Sequence, residues 1–465
     1  MSLIIPANSA AAGGGFEATN SLMFNRADGA YLVHTNSGTG SYQQSTFSAW
    51  VKRSSLGTIQ TMWNNQVQAG VNQVRFEFDA ADKIYIYGEE GGGYALRALT
   101  TSVYRDLSAW YHVLVIIDTP QSAAADRIKL YVNGVQVTLT FSTTPAQNAN
   151  LRINYDNTPV SVGSTQASNY LDGYMAEVYW IDGTVYATSD FGEFDEDSGI
   201  WKPIDASGLT FGTNGFYLDF ENSSALGDDA AGSNDFSLNN LAATDQMIDT
   251  CTNNFPTLNI LESSTVRGAN TYSQGNLQVL TPQGESGNTF STVGVSSGKW
   301  YSEFYIKANS GIERSLVGVS GDVGATLSAS NNVGSLSDAR DVGYMGNDGD
   351  KFVSNSESSY GGSAFSIGDV IGVALDLDNN TVNFAQNNSF KGTIAIASTG
   401  TWHMGCGDVS GGIAATIVAN YGQNSSFAGS ITAANETDEH GEGLFKYSPP
   451  SGFITLNTKN LAEYG

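Results

Sequence analysis

The stretch GDVIGVALDLDNNTVNFAQNN, Gly368 to Asn388, alternates apolar and polar residues, pauses at Asp378-Asn379-Asn380, and alternates again. Period two places successive side chains on opposite faces of a strand. Asn tolerates the positive φ of a tight turn, so the segment reads as strand, turn, strand. The rhythm recurs in QVRFEFDAADKIYIYG and in KLYVNGVQV. In the latter, Asn133-Gly134 supplies two residues suited to positive φ, the strongest short hairpin signal. No clear helix of ten residues appears; Thr432 to Glu439 has room for one helical turn. Many short strands without interleaved helical periods predict an all-β chain of antiparallel β-sandwiches, in which each sheet buries one face.

A chain of 465 residues is too long for one core, so two or three domains are expected. Charged residues are only 14 %, and polarity comes from Ser, Thr, Asn and 53 Gly. The 22 Tyr and 22 Phe favour strands. The net charge of −26 repels nucleic acid and anionic membranes, which excludes nucleic-acid binding as a function class. It serves solubility first, and suits Ca²⁺ or a basic partner second. Cys251 and Cys406 match no metal spacing and are read as free thiols. The N-terminal MSLIIPANSAAAGGGF lacks a basic region and an adequate apolar stretch, so no secretory signal is expected. No run approaches eighteen apolar residues, and no membrane insertion is expected.

Five segments follow. Residues 1–20 form a Gly- and Ala-rich N-terminal arm, and 21–188 a first β-sandwich. Residues 189–250 read as an acidic, turn-rich linker with closing strands. Residues 251–441 form a second sandwich, and 442–465 a tail in which Pro449-Pro450 stops regular structure.

Three blocks of the first sandwich, NSLMFNRADGAYLVHT with STFSAWVKRSS, WYHVLVIIDTPQSAAADRIKLYVNGVQV, and YLDGYMAEVYWIDG, together resemble the laminin-G-like, concanavalin A-type jelly roll. That resemblance implies two stacked antiparallel sheets, one of them concave. SSGKWYSEFYIK, SLVGVSG, the Gly368–Asn388 hairpin and ANYGQ resemble a SPRY domain over about residues 275–425. Trp300 matches its entry-strand tryptophan. The order of both units, with TCTNNFPTLN between them and PPSGFITLNTKNL at the end, resembles structural proteins of marine tailed bacteriophages. It implies a virion component: a tail fibre, a head fibre or a capsid decoration. The arm would then join other virion proteins. A homo-oligomer, with a trimer as the first analogy, would display the sandwiches to host-surface glycan.

Candidate chemistry is sparse. Glycosidases of concanavalin type need a carboxylate pair about 5–9 Å apart. Glu77 with Asp79, and Glu193 with Asp195 and Asp197, have the strand spacing, yet no recurrent acid-rich strand surrounds them. The four histidines, His34, His112, His403 and His440, are scattered, and His112 reads as a packed core residue. The chain is therefore expected to be non-enzymatic, with a polysaccharide depolymerase or a ligand-free decoration as alternatives. For Ca²⁺, Asp228, Asp229, Asn234 and Asp235 offer hard oxygens on one loop, and Asn347, Asp348 and Asp350 on another. For glycan, Tyr94, Tyr170, Tyr344 and Tyr360 are candidate stacking rings. Trp50, Trp110, Trp180 and Trp300 are assigned to the core. Asp338–Tyr344 and Ser354–Gly362 are the candidate SPRY contact segments.

Overall fold

The alternation predicted from sequence is realised as strands throughout. The computed structural model describes residues 15–68, 71–262, 269–282, 287–309, 315–328, 333–408 and 414–465. Most of the proposed arm, residues 1–14, lies outside them. One compact unit ends at Thr252 and the other begins at Asn253.

In the first unit the strands are β1 (Ser21–Phe24), β2 (Tyr31–Thr35), β3 (Gln44–Arg53), β4 (Gln60–Gln68), β5 (Asn72–Phe78) and β6 (Ile84–Glu90). They continue with β7 (Gly93–Thr100), β8 (Trp110–Asp118), β9 (Ile128–Val132), β10 (Val135–Gln136), β11 (Leu139–Thr143) and β12 (Pro159–Val162). The last are β13 (Gly173–Asp182), β14 (Gly192–Phe194), β15 (Trp201–Pro203), β16 (Phe216–Leu218), β17 (Ser237–Asn239) and β18 (Gln246–Met247). They form two eight-stranded sheets and a two-stranded ribbon of β14 and β15. One runs β10-β9-β8-β3-β13-β1-β18, with β16 added beside β13; the other runs β11-β7-β6-β5-β4-β12-β2-β17. The Asn133-Gly134 turn has φ of 48° and 77°, as its hairpin requires.

Between the sheets lies a core in which Trp63 of one sheet stacks on Trp180 of the other at 4.1 Å, with Phe76 at 5.0 Å from Trp63. Phe47, Phe78, Ile86, Leu96 and Val115 belong to the same cluster. Residues 189–250 supply the expected closing strands and are otherwise packed on the unit rather than acting as a linker. β16, β17 and β18 complete the two sheets, Phe220, Leu226 and Phe236 join the core between them, and Phe191, Trp201 and Ala206 pack on the outer face of the first sheet. There Trp201 of β15 stacks on His112, and its Nε1 donates to His112 Nδ1 at 3.0 Å. His112 Nε2 is therefore the protonated nitrogen, bonded to Ser48 Oγ at 2.8 Å. Burial pushes the ring's pKa down to about 3, so it stays neutral. Lys52 and Asp249 form a fully buried ion pair of 2.7 Å on this covered face, and Trp110 Nε1 donates to the same carboxylate.

The second unit contains β19 (Thr271–Ser273), β20 (Gln278–Leu280), β21 (Thr289–Phe290), β22 (Lys299–Asn309), β23 (Ser315–Ser320), β24 (Asp341–Met345) and β25 (Lys351–Val353). It continues with β26 (Ser356–Ser358), β27 (Val370–Asp376), β28 (Thr381–Gln386), β29 (Ser389–Ala395), β30 (His403–Asp408), β31 (Ala415–Asn420) and β32 (Ile454–Thr455). Helices α1 (Val323–Ser328) and α2 (Thr458–Tyr464) complete it. One sheet runs β19-β20-β31-β22-β27-β28-β29 with β32 beside β22; the other runs β21-β30-β23-β24-β25-β26. The Gly368–Asn388 hairpin is β27 and β28, with Asn380 at φ 53°. Thr432–Glu439 forms no helix. The C-terminal segment is not a loose tail: Ile454 pairs with Trp300, and Asn457 caps α2 by accepting from the Asn460 N–H.

Several buried carboxyl groups shift with their surroundings, and three are pushed up to near neutrality. Burial pushes Glu177, Glu303 and Asp408 each up to about 7. Glu177 accepts from the hydroxyls of Tyr179 and Tyr217 at 2.6 and 2.7 Å, and Glu303 from the N–H groups of Lys446 and Tyr447 at 2.7 and 2.8 Å. A carboxyl group whose folded pKa exceeds its unfolded value stabilises the fold fully below the unfolded value, and that contribution vanishes as pH rises through the folded one. The opposite shifts at Asp82 and Asp376 matter only as pH falls below about 4. Urea unfolding is accordingly expected to give a free energy larger at pH 5 than at pH 8.5, by roughly 3 kcal/mol for each of the three raised groups that ionises in the folded state. A flat profile between those values would contradict this account.

Candidate functional site

The inward phase of the second sheet of the first unit determines what its other face presents. Trp63, Phe76, Ile86 and Ala98 point into the core. Their sequence neighbours therefore point outward, and the strand register sets them in rows. One row is Ser161, Asn64, Arg75, Tyr87 and Arg97 across β12, β4, β5, β6 and β7. A second is Gln66, Gln73, Glu89 and Tyr94, and a third is Thr61, Glu77, Tyr85 and Leu99.

These side chains bind one another. Glu77 lies 3.0 Å from Arg75 Nε, and Gln73 donates to Glu89 at 2.5 Å. Arg75 lies over the Tyr87 ring at 4.3 Å and Arg97 over the Tyr94 ring at 4.4 Å, while Arg97 Nε donates to the Tyr85 hydroxyl at 2.7 Å. Burial, opposed by Arg75, pushes the Glu77 carboxyl up. Exposure rises along the grid. Asn64, Gln73 and Glu77 are buried, Arg75, Tyr85 and Arg97 are half-buried, and Tyr94 is 55 % exposed. The accessible part is therefore the β6–β7 side, a cluster of tyrosine rings with arginine between them. Rings offer flat apolar faces to sugar C–H groups, and arginine and amides offer hydrogen bonds to hydroxyls.

The tyrosines singled out from sequence do not converge. Tyr94 belongs to this grid. Tyr170 packs 6.2 Å from Tyr31 of β2, five strand spacings or about 24 Å from β7. Tyr344 and Tyr360 are corrections: both are buried in the second core, where Tyr344 is fully enclosed and packs on Phe365 and Phe384. Enclosed rings offer no stacking platform. Asp341–Tyr344 is likewise a buried strand, which removes most of Asp338–Tyr344 as a contact segment; Ser354–Ser358 is exposed.

The carboxylates are committed too. Asp79 Oδ1 accepts the N–H groups of Ala81 and Lys83 within the β5–β6 turn, so it does not pair with Glu77. Glu89 shares the Glu77 face, but sits four residues, about 13 Å, from the position opposite it, beyond a glycosidase pair. Glu193 and Asp195 lie 3.3 and 3.2 Å from Lys202, and Asp195 accepts the N–H groups of Asp197 and Ser198. At the 228–235 loop, Asp229 is buried and accepts from the N–H groups of Tyr217, Ala231 and Asn234 at 2.9–3.1 Å. Asp235 accepts from the Asp229 N–H, Asp228 from Asn222, and Asn234 donates to the Thr213 and Gly215 carbonyls. These oxygens staple the loop and form no cation cage. The second loop does gather acids: Asp348, Asp350 and, from β26, Glu357 have carboxylate oxygens within 4.8 Å of one another at the surface.

Folds and grid together define a two-module β-sandwich protein with one patterned polar face. Residues 25–188 match a laminin-G-like family model described as the concanavalin A-like lectin/glucanases superfamily, and residues 292–402 match the SPRY domain model. No curated protein matches the chain. Among solved structures, the SPRY domain of human HERC1 is 20 % identical, with 35 % of this chain and 96 % of that one covered and a TM-score of 0.29. A putative carbohydrate binding protein from Bacteroides ovatus is 17 % identical over 48 % of this chain and 59 % of that one, TM-score 0.35. A pentraxin from Limulus polyphemus is 10 % identical over 37 % and 80 %, TM-score 0.29.

The committed state of Asp229 has a direct test. Asp229→Ala should cost about 1–3 kcal/mol, because three N–H groups lose their acceptor. The loss should be equal in calcium and in EDTA. A variant destabilised only when calcium is present would restore the loop as a cation site.

Proposed function

We propose that this chain is a non-enzymatic virion component of a tailed bacteriophage, a fibre or a capsid decoration, that binds host-surface glycan through the β6–β7 side of its laminin-G-like unit. The observation that carries the binding part is the cluster of exposed Tyr94 with half-buried Tyr85 and Arg97, held in register by the core beneath it. The virion part rests on the order of the two modules and their connectors in the sequence. Shallow ring platforms bind single glycans weakly, so repetition in an oligomer supplies the avidity such a role needs.

Purified protein should be retained on host cells and on extracted surface polysaccharide without shortening the polymer. Tyr94→Ala is expected to weaken retention about five- to tenfold, since one sugar-stacking ring contributes on the order of 1–1.5 kcal/mol. Shortened polymer would make the chain a depolymerase. Absence of retention by the assembled protein would leave a structural decoration without ligand. Removing residues 1–20 should reduce incorporation into particles if the arm is the anchor.

A further inference from the structure

The chain holds 46 Asp and Glu against 20 Lys and Arg, so a basic group can usually find a carboxylate. Arg97 has none: among the described residues it forms no ion pair, like Arg26 and unlike Arg53, Arg75, Arg105, Arg152 and Arg340. Arg127 shows the other way of satisfying a guanidinium, with Nε, Nη1 and Nη2 all donating to backbone carbonyls. Arg97 does neither. Its Nε is held by the Tyr85 hydroxyl at 2.7 Å and its plane lies 4.4 Å from the Tyr94 ring. No protein acceptor among the described residues accepts a hydrogen bond from its two Nη groups.

The nearby carboxylates do not compensate it. Glu77 is engaged by Arg75, Glu89 by Gln73, and Glu90 by Arg152 at 2.6 Å. One edge and one face of the Arg97 guanidinium are therefore immobilised, and the end that carries Nη1 and Nη2 is free. That end forms two parallel N–H donors, the geometry that takes an oxyanion bidentately. Tyr85, Tyr87 and Tyr94 surround it with rings.

We infer that Arg97 is a specificity-determining residue that selects a glycan bearing an oxyanion, a uronate carboxylate or a sulfate ester, bound end-on by its two Nη groups while the sugar ring lies on Tyr94. The inference rests on the glycan-binding reading above and narrows its ligand class. It also explains how a chain of net charge −26 can hold an anionic polymer. Long-range repulsion decays within about 8 Å at physiological salt, whereas a direct bidentate hydrogen-bonded contact acts at close range.

The test uses the full-length protein at 0.15 M salt, the condition of that estimate. Its probes are polygalacturonate, the same polymer after carboxyl reduction, a sulfated galactan and its desulfated form. At least one charged polymer should be retained tenfold or more tightly than its neutral derivative, and which of the two does so identifies the oxyanion. Arg97→Gln should erase that preference, and Arg97→Lys should not restore it, because a point charge lacks the two-pronged geometry. Equal retention of charged and neutral forms overturns the inference while leaving the glycan reading intact, as does a preference that survives Arg97→Gln. Failure to retain any of the four polymers, with host polysaccharide also unbound, overturns both. The comparison of charged and neutral polymers needs only the unaltered chain, so a folding defect in either variant does not obscure it.

Discussion

The stack of Trp63 on Trp180 joins the two sheets of the first unit, and the rest of that unit follows from it. A strand has only two faces, and a shift of one residue exchanges them. Once Trp63 is committed inward, Phe76, Ile86 and Ala98 must follow it across the sheet, because register couples each strand to the next. Asn64, Arg75, Tyr87 and Arg97 are then obliged to face outward. The candidate binding surface is in this sense the complement of the core. It needs no loop to position it, which gives the rings and guanidinium groups a rigid support.

Much of the fold was legible in the sequence because period two survives translation into strands almost unchanged. The hairpins at Asn133-Gly134 and Gly368–Asn388 form where the alternation breaks, and Trp50, Trp110, Trp180 and Trp300 are all buried. The failures have physical reasons. Residues 189–250 read as a linker with closing strands; the strands are there, but β16, β17 and β18 are only two or three residues long, too short for alternation to locate them or to show how much of the segment is packed. Helix α2 was missed because its seven residues are shorter than the period search, although Asn457 is a sound cap. Tyr344 and Tyr360 were proposed as exposed rings because a turn-rich, polar sequence surrounds them; their burial comes from strands distant in the chain.

The site was half legible. Tyr94 stood out beside its glycines, yet Arg75, Tyr85, Tyr87 and Arg97 carried the same signal in a plainer form. They are the off-phase residues of VRFEF, IYIYG and ALRAL, and reading that phase across three strands would have assembled the grid. Distance in sequence hid the loop chemistry more thoroughly. Nothing near Asp229 in the sequence announces that Tyr217 will donate to it, and nothing near Asp350 announces Glu357.

The short strand β18 has one more effect. It lies against β1, with Met247 opposite Ser21, and Thr252 Oγ1 donates to the Ala18 carbonyl at 3.0 Å. The polypeptide thus enters and leaves the first unit at a single edge. Tension carried along the chain would be met by that edge alone, which peels one contact at a time, and the two broad sheets would never be loaded in shear. Such a unit hangs beside the line of force like a tag on a cord.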